Sequence, residues 1–159
     1  MKKVAVVTDS SASLPADLAR GLGIRVVPIM LVLNGYTFYD GVDITPGELY
    51  RLLRNTRHSP TTSAPSIGDF LRVYAAAAET ASGIVSIHMS PKLSATCTSA
   101  RAASQLVDDL PIRILDSRTA AMAQGFVVLE AARAAAGGAD LETVVARAEA
   151  VASRVHLLA

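Results

Sequence analysis

The chain has 159 residues, enough for one domain with a sizeable core: 51% of them are hydrophobic, 18% are charged, and the formal net charge is +1. Its Lys and Arg residues are scattered, with no basic run and no interleaved aromatics, which argues against a nucleic-acid or anionic-membrane partner. The single cysteine, Cys97, excludes an internal disulfide and a cysteine-based zinc site, and it suits a reducing cytoplasm.

Short apolar runs then alternate with helical patterns. Residues 4–8 (VAVVT) read as a buried strand, too short for a signal-peptide core or a stable membrane insertion. Residues 9–15 form a turn, and Pro15 can open a helix running to about Gly21. Residues 24–33 read as a second strand, broken near Pro28 or starting after it. Asn34-Gly35 is a hairpin signal, with residues 36–39 as the returning strand and Asp40-Gly41 closing it. Thr45 reads as an N-cap, with Pro46 at the first helical position and Glu48 at the third; Leu49, Leu52 and Leu53 supply the apolar face.

Residues 59–66 (SPTTSAPS) read as a polar, proline-bearing loop. Pro65 or Ser66 then opens a helix through Ala81, ended by Gly83. Residues 84–89 form the next strand, followed by a hydroxyl-rich turn and a helix through about Asp108. Residues 112–115 are another strand, Asp116-Ser117-Arg118 a turn, and residues 119–136 an Ala-rich helix broken by Gly137-Gly138. Asp140 caps a last helix over residues 141–154. Residues 155–159 (VHLLA) begin a further strand, so the chain reads as cut mid-fold. A downstream domain, or a second copy in a homodimer, would cover the open strand edge.

This alternation predicts an α/β domain over residues 1–159: a mainly parallel sheet with helices on both faces. In such sheets ligands bind beyond the carboxyl ends of the strands. Three polar turns, residues 8–13, 90–99 and 116–118, fall at such ends, and a fourth, residues 60–66, precedes a helix. All four can converge on one cleft.

Residues 84–103 (IVSIHMSPKLSATCTSARAA) carry the most chemistry. Ser94, Thr96, Thr98 and Ser99 sit where a strand hands over to a helix, and free N–H groups with the positive helix end make that place receptive to anions. The turn holds Lys92 but no carboxylate, which suits holding a carboxylate or phosphate better than breaking a bond. Ser94 is the leading donor; the plainer reading, an N-cap, is compatible with it. Asp9, Ser10 and Ser11 can bind a head group or metal, or simply cap the next helix. Asp116 and Arg118 suit a local salt bridge or cap as well as a functional role. Lys92 can steer an anion or be a solvated turn residue, and His88 reads as a satisfied structural histidine.

His58 and His156 lack partners at metal-ligand spacing, and Cys97 lacks an activating His. GxSxG, Walker and GxGxxG patterns are absent. No catalytic residue, metal or cofactor is therefore expected. A serine-dependent acyl ester hydrolase, using a Ser94–His88 dyad, is an alternative that lacks an orienting third group. A non-catalytic partner-binding module is another.

Five segments now taken together (VAVVTDSSASLP, VVPIMLVLNGYTFYDGVDIT, TTSAPSIGDF, SIHMSPKLSATCTSA and ILDSRTAAMAQGFVVLEAA) resemble, in order and spacing, the bacterial DegV family over nearly the whole chain. The resemblance implies a DegV-like amino-terminal domain without the carboxy-terminal domain of longer members. It also implies a fatty-acid-binding protein that holds a long-chain fatty acid by its carboxylate in an apolar pocket and presents it to a separate fatty acid kinase, without catalysis of its own. Ser94, with Ala95 in its turn, would then bind the carboxylate. Thr62 would be the second donor and Ser63 its rival one residue on, although either can be an ordinary loop hydroxyl. Ser10, Ser11 and Arg118 would lie in the head group's vicinity.

In the family, the missing domain adds polar residues near the head group, including a histidine and an arginine in some members. The family turn usually reads LSGT followed by an aromatic residue; here it is Leu93-Ser94-Ala95-Thr96-Cys97, where alanine restricts the turn and cysteine opens space. A carboxylate in a dry site needs donors. An acyl tail needs apolar walls, whose burial contributes ~0.8 kcal/mol per CH₂.

Overall fold

A computed structural model describes residues 3–56 and 59–158; His58 and Ala159 lie outside the described residues. In chain order the elements are β1 (Lys3–Asp9), a 3-10 turn (Ser10–Ala12), α1 (Ala16–Gly21), β2 (Arg25–Val27), β3 (Met30–Leu33), β4 (Tyr36–Tyr39) and α2 (Pro46–Arg54). They continue with β5 (Thr61–Ser63), α3 (Ile67–Ala78), β6 (Ala81–His88), α4 (Thr96–Ser104), β7 (Ile112–Asp116), α5 (Ala121–Ala136) and α6 (Leu141–Ala152).

Four strands pair in parallel in the order β2-β1-β6-β7. Side chains alternate across a strand, and both faces of this sheet are covered, so both sets are apolar. Val4, Val6, Val85, Ile87 and Leu115 pack on one face with Val127, Val128 and Ala131 of α5 and with Val144 and Ala148 of α6. Val7, Ile84 and Ile112 pack on the other with Phe70 and Tyr74 of α3 and with Ala100 and Ala103 of α4. The sheet therefore carries helices on both faces, as the alternation of elements predicts. Among the described residues no helix is long and apolar enough to cross a membrane.

The expected strand over residues 24–33 is two strands in two sheets. Pro28 has no N–H for a ladder, and the chain leaves the parallel sheet there. β3 resumes in a separate antiparallel sheet of order β4-β3-β5. The expected loop over residues 59–66 contains β5, which pairs with β3. All three β5 residues are exposed, so no hydrophobic alternation marks them.

The helix expected to run through Ala81 ends at Ala78, and β6 begins at Ala81 with Gly83 inside it. A Cβ there would lie 3.1 Å from Leu141 Cδ2 and 3.4 Å from the Pro111 carbonyl oxygen, so this glycine marks close packing rather than a helix stop. The next helix ends at Ser104 rather than Asp108, α5 starts at Ala121 rather than residue 119, and α6 ends at Ala152 rather than Arg154. Residues 155–158 are not a strand: they join no ladder, and Leu157 and Leu158 are exposed.

Three of the helix starts follow side-chain caps. Thr45 and Glu48 form a reciprocal capping box on α2, Ser66 and Asp69 form another on α3, and Asp140 accepts from the Thr143 N–H on α6. α2 nevertheless buries no residue; Leu49 and Leu53 are half-buried and Leu52 is exposed.

Candidate functional site: a hydroxyl-lined cleft above a buried polar chain

At the carboxyl ends of β1 and β6, a cleft of about 330 Å³ opens between the parallel sheet and the small antiparallel one. It is lined by Ser11, Ile29, Thr62, Ser63, Ala64, Met89, Leu93, Ser94 and Ala95. Three of the four polar turns thus converge, carried by three elements: the 3-10 turn after β1, strand β5, and the turn between β6 and α4. The lining mixes the hydroxyls of Ser11, Thr62, Ser63 and Ser94 with the apolar Ile29, Met89 and Leu93, and has no charged side chain.

Ser94, Ala95, Thr62, Ser63 and Ser11 all face this cleft. Ser10 lies beside it, its hydroxyl accepting the Ile29 N–H at 3.1 Å and so tying the crossover between the sheets to the 3-10 turn. Arg118 does not join them. It lines a separate hollow of about 460 Å³ with Asp116, Glu149 and Ala152, and its N–H donates to Asp116 Oδ1 at 2.7 Å. Lys92 is exposed outside the lining, its N–H donating to Ser90 Oγ at 3.3 Å. A larger hollow, about 530 Å³, lies at the opposite end of the sheet among Lys3, Gly21, Gly23, Arg25, Ala132 and Ala135, far from these hydroxyls.

The turn into α4 departs from a simple N-cap. Ala95, not Ser94, occupies the cap position, with no side-chain cap bond of its own. Ser94 Oγ accepts the Thr96 N–H at 3.2 Å and lies 2.8 Å from Thr96 Oγ1. Ala95 has φ −73° and ψ −1°, a region open to any residue, so alanine in place of the family's glycine strains nothing here. Cys97 is buried; burial pushes its thiol above the usual value, against the opposing pull of Arg101, so it is an inert thiol at neutral pH.

Beneath the cleft runs a chain of buried polar side chains. Tyr74 OH donates to Ser86 Oγ at 2.9 Å, and Ser86 Oγ lies 2.7 Å from His88 Nε2. His88 Nδ1 lies 2.8 Å from Asp9 Oδ2. Asp9 also accepts the Ser11 N–H at 3.0 Å, the Ser11 hydroxyl, and Gln124 Nε2 at 3.2 Å. Gln124 spends its second donor on Thr8 Oγ1 at 3.0 Å. Phe70 stands edge-on to the His88 ring with centroids 5.0 Å apart. Burial raises the Asp9 carboxyl, but the hydrogen bond and charge of His88, with the Ser11 and Gln124 donors, more than offset it and hold Asp9 below the usual carboxylate range.

This arrangement answers the dyad question. His88 has the orienting carboxylate that the sequence left unassigned, yet its other ring nitrogen faces Ser86, not Ser94. Ser86 is fully buried, so no substrate reaches the Ser–His–Asp constellation formed there. Asp9 both caps the 3-10 turn and joins this chain, so neither the cap nor the site reading alone describes it. Among the described residues no three His, Cys, Asp or Glu side chains cluster as a metal site.

A family model described as an uncharacterised protein of the DegV family matches residues 3–159. A DegV domain-containing protein of Mycobacterium tuberculosis is 40% identical over 156 residues, covering 96% of this chain and 53% of the relative. The chain spans about half the length of the curated relatives it matches. Among solved structures, a DegV family protein from Thermus thermophilus, described by its fatty acid binding, superposes with a TM-score of 0.86 at 39% identity, covering 95% of this chain and 54% of that one. DegV of Bacillus subtilis, described as a fatty acid binding protein, superposes with a TM-score of 0.91 at 29% identity, covering 96% of this chain and 55% of that one.

Proposed function

This chain belongs to the DegV family, and we propose that it binds a long-chain fatty acid with the carboxylate in the hydroxyl-lined cleft. The observation that carries this reading is the convergence of Ser94, Thr62 and Ser63 on one cleft at the carboxyl ends of the parallel strands. Ser94 donates to one carboxylate oxygen. Thr62 or Ser63 reaches the other from β5, and the positive end of α4 adds a favourable dipole. Ile29, Met89 and Leu93 take the first methylenes, each worth ~0.8 kcal/mol on burial.

The fatty-acid binding of the Thermus thermophilus and Bacillus subtilis neighbours supports the ligand class. The family resemblance supports a cytoplasmic carrier that presents the carboxylate to a fatty acid kinase. The engagement of both His88 nitrogens inside the core supports binding without turnover. Denaturing mass spectrometry of lipid extracted from the purified chain tests the reading. A stoichiometric fatty acid that falls away in Ser94→Ala is expected. No lipid after feeding with fatty acids, or hydrolysis of an acyl ester that depends on Ser94, would overturn it.

A further inference from the structure

Resting on that reading, we infer that Thr96 is a positioning residue: its buried hydroxyl donates to Ser94 Oγ and thereby turns the Ser94 proton into the cleft, ready for the carboxylate. The direction of this bond follows from what each hydroxyl can reach. Thr96 is fully buried at the first position of α4, and among the described residues its hydroxyl has Ser94 Oγ, 2.8 Å away, as its partner. Were Ser94 the donor, the Thr96 proton would be buried without an acceptor, an uncompensated desolvation. Donation by Thr96 avoids that cost.

Ser94 then accepts twice from the same residue, from the Thr96 hydroxyl and from the Thr96 N–H at 3.2 Å, which fills both of its lone pairs. Its own proton finds no acceptor among the described residues and points away from Thr96. Ser94 lines the cleft, so the open direction is the ligand's. The helix start thus fixes a donor in advance rather than leaving a free hydroxyl rotor, and a pre-oriented donor loses less freedom on binding.

A double-mutant cycle with palmitate as probe, read by equilibrium dialysis on the 159-residue chain, tests this. Thr96→Val keeps the shape and removes the hydroxyl; we expect affinity to fall about tenfold. Thr96→Ser restores affinity to within about threefold of the parent. In a Ser94→Ala background Thr96→Val changes affinity by less than twofold, because the proton it positioned is gone.

A second readout needs no variant. In the free chain the Thr96 hydroxyl proton gives a slowly exchanging NMR resonance with a contact to the Ser94 β protons, and the Ser94 hydroxyl proton becomes visible only with palmitate bound. Equal losses for Thr96→Val with and without Ser94, or a Ser94 hydroxyl proton already protected in the free chain, would overturn the inference while leaving fatty-acid binding intact. A parent chain that binds no palmitate would overturn both.

Discussion

Replacing Asp9 by Asn removes one charge and turns half of a double acceptor into a donor. Four donors converge on the native carboxylate: the Ser11 N–H at 3.0 Å and the Ser11 hydroxyl on one oxygen, His88 Nδ1 at 2.8 Å and Gln124 Nε2 at 3.2 Å on the other. An asparagine offers a single oxygen, so one pair of donors must face an NH₂ group. Asp9, His88 and Gln124 are all fully buried, so water cannot make up the deficit. Breaking a buried pair costs ~3–5 kcal/mol and each orphaned donor ~1–3 kcal/mol. We therefore expect a loss of about 3 kcal/mol near neutral pH.

In urea unfolding, a slope of about 1.5 kcal/mol/M makes that a fall of about 2 M in midpoint. The Asp9 carboxyl is held below its ordinary value, so its stabilisation is complete above the unfolded value near 4 and is lost as pH falls through the lower folded value. The gap between parent and variant should therefore narrow on acidification below about pH 4. A loss under about 1 kcal/mol near neutral pH, or a gap that holds its size in acid, would refute the assignment of Asp9 as the hub.

Two further outcomes follow from the same packing. Gly125→Ala gains ~1 kcal/mol of helix propensity, but the new Cβ would lie 2.8 Å from the Ala12 carbonyl oxygen, so overpacking of ~1–3 kcal/mol wins and displaces the turn carrying Ser11. Thermal unfolding should show a lower melting temperature, and a higher one would contradict the contact. Burial pushes the Tyr74 hydroxyl well above its ordinary value despite its bond to Ser86, so the neutral form is favoured in the fold and stability is lost as pH rises past about 10. Tyr74→Phe should cost about 1 kcal/mol near neutral pH and flatten that alkaline decline, measured as unfolding free energy against pH; an unchanged slope would exclude Tyr74 as its source.

Much of the fold was legible because local rules and tertiary packing agree. The hairpin Asn34-Gly35, the Thr45 capping box and the apolar runs of β1 and β6 each appear where the residues place them. β5 was not legible, because its pairing with β3 is made by backbone alone and its three side chains are exposed. The split of residues 24–33 between two sheets was half visible: Pro28 marks the break, but no local signal says that Met30 joins a different sheet.

In the cleft, Ser94, Ala95, Thr62, Ser63 and Ser11 come together as expected, while Arg118 falls in another hollow, because the turn after β7 opens toward α6. The buried chain from Tyr74 to Asp9 was not foreseen. Its members are 79 positions apart at the His88–Asp9 bond and 115 at the Gln124–Asp9 bond. One signal was present: Ser86 and His88 alternate with Val85 and Ile87, placing two polar residues on one face of a strand whose other face is apolar.

The most direct test of the account is an ¹⁵N NMR titration of the chain with palmitate. Head-group binding in the cleft predicts saturable shifts at equimolar ligand in the amides of Thr62, Ser63, Ser94, Ala95 and Thr96, with the Ser94→Ala chain responding only at much higher ligand. Shifts confined to Gly21, Gly23, Ala132 and Ala135, around the hollow at the opposite end of the sheet, or no saturable shift, would contradict it.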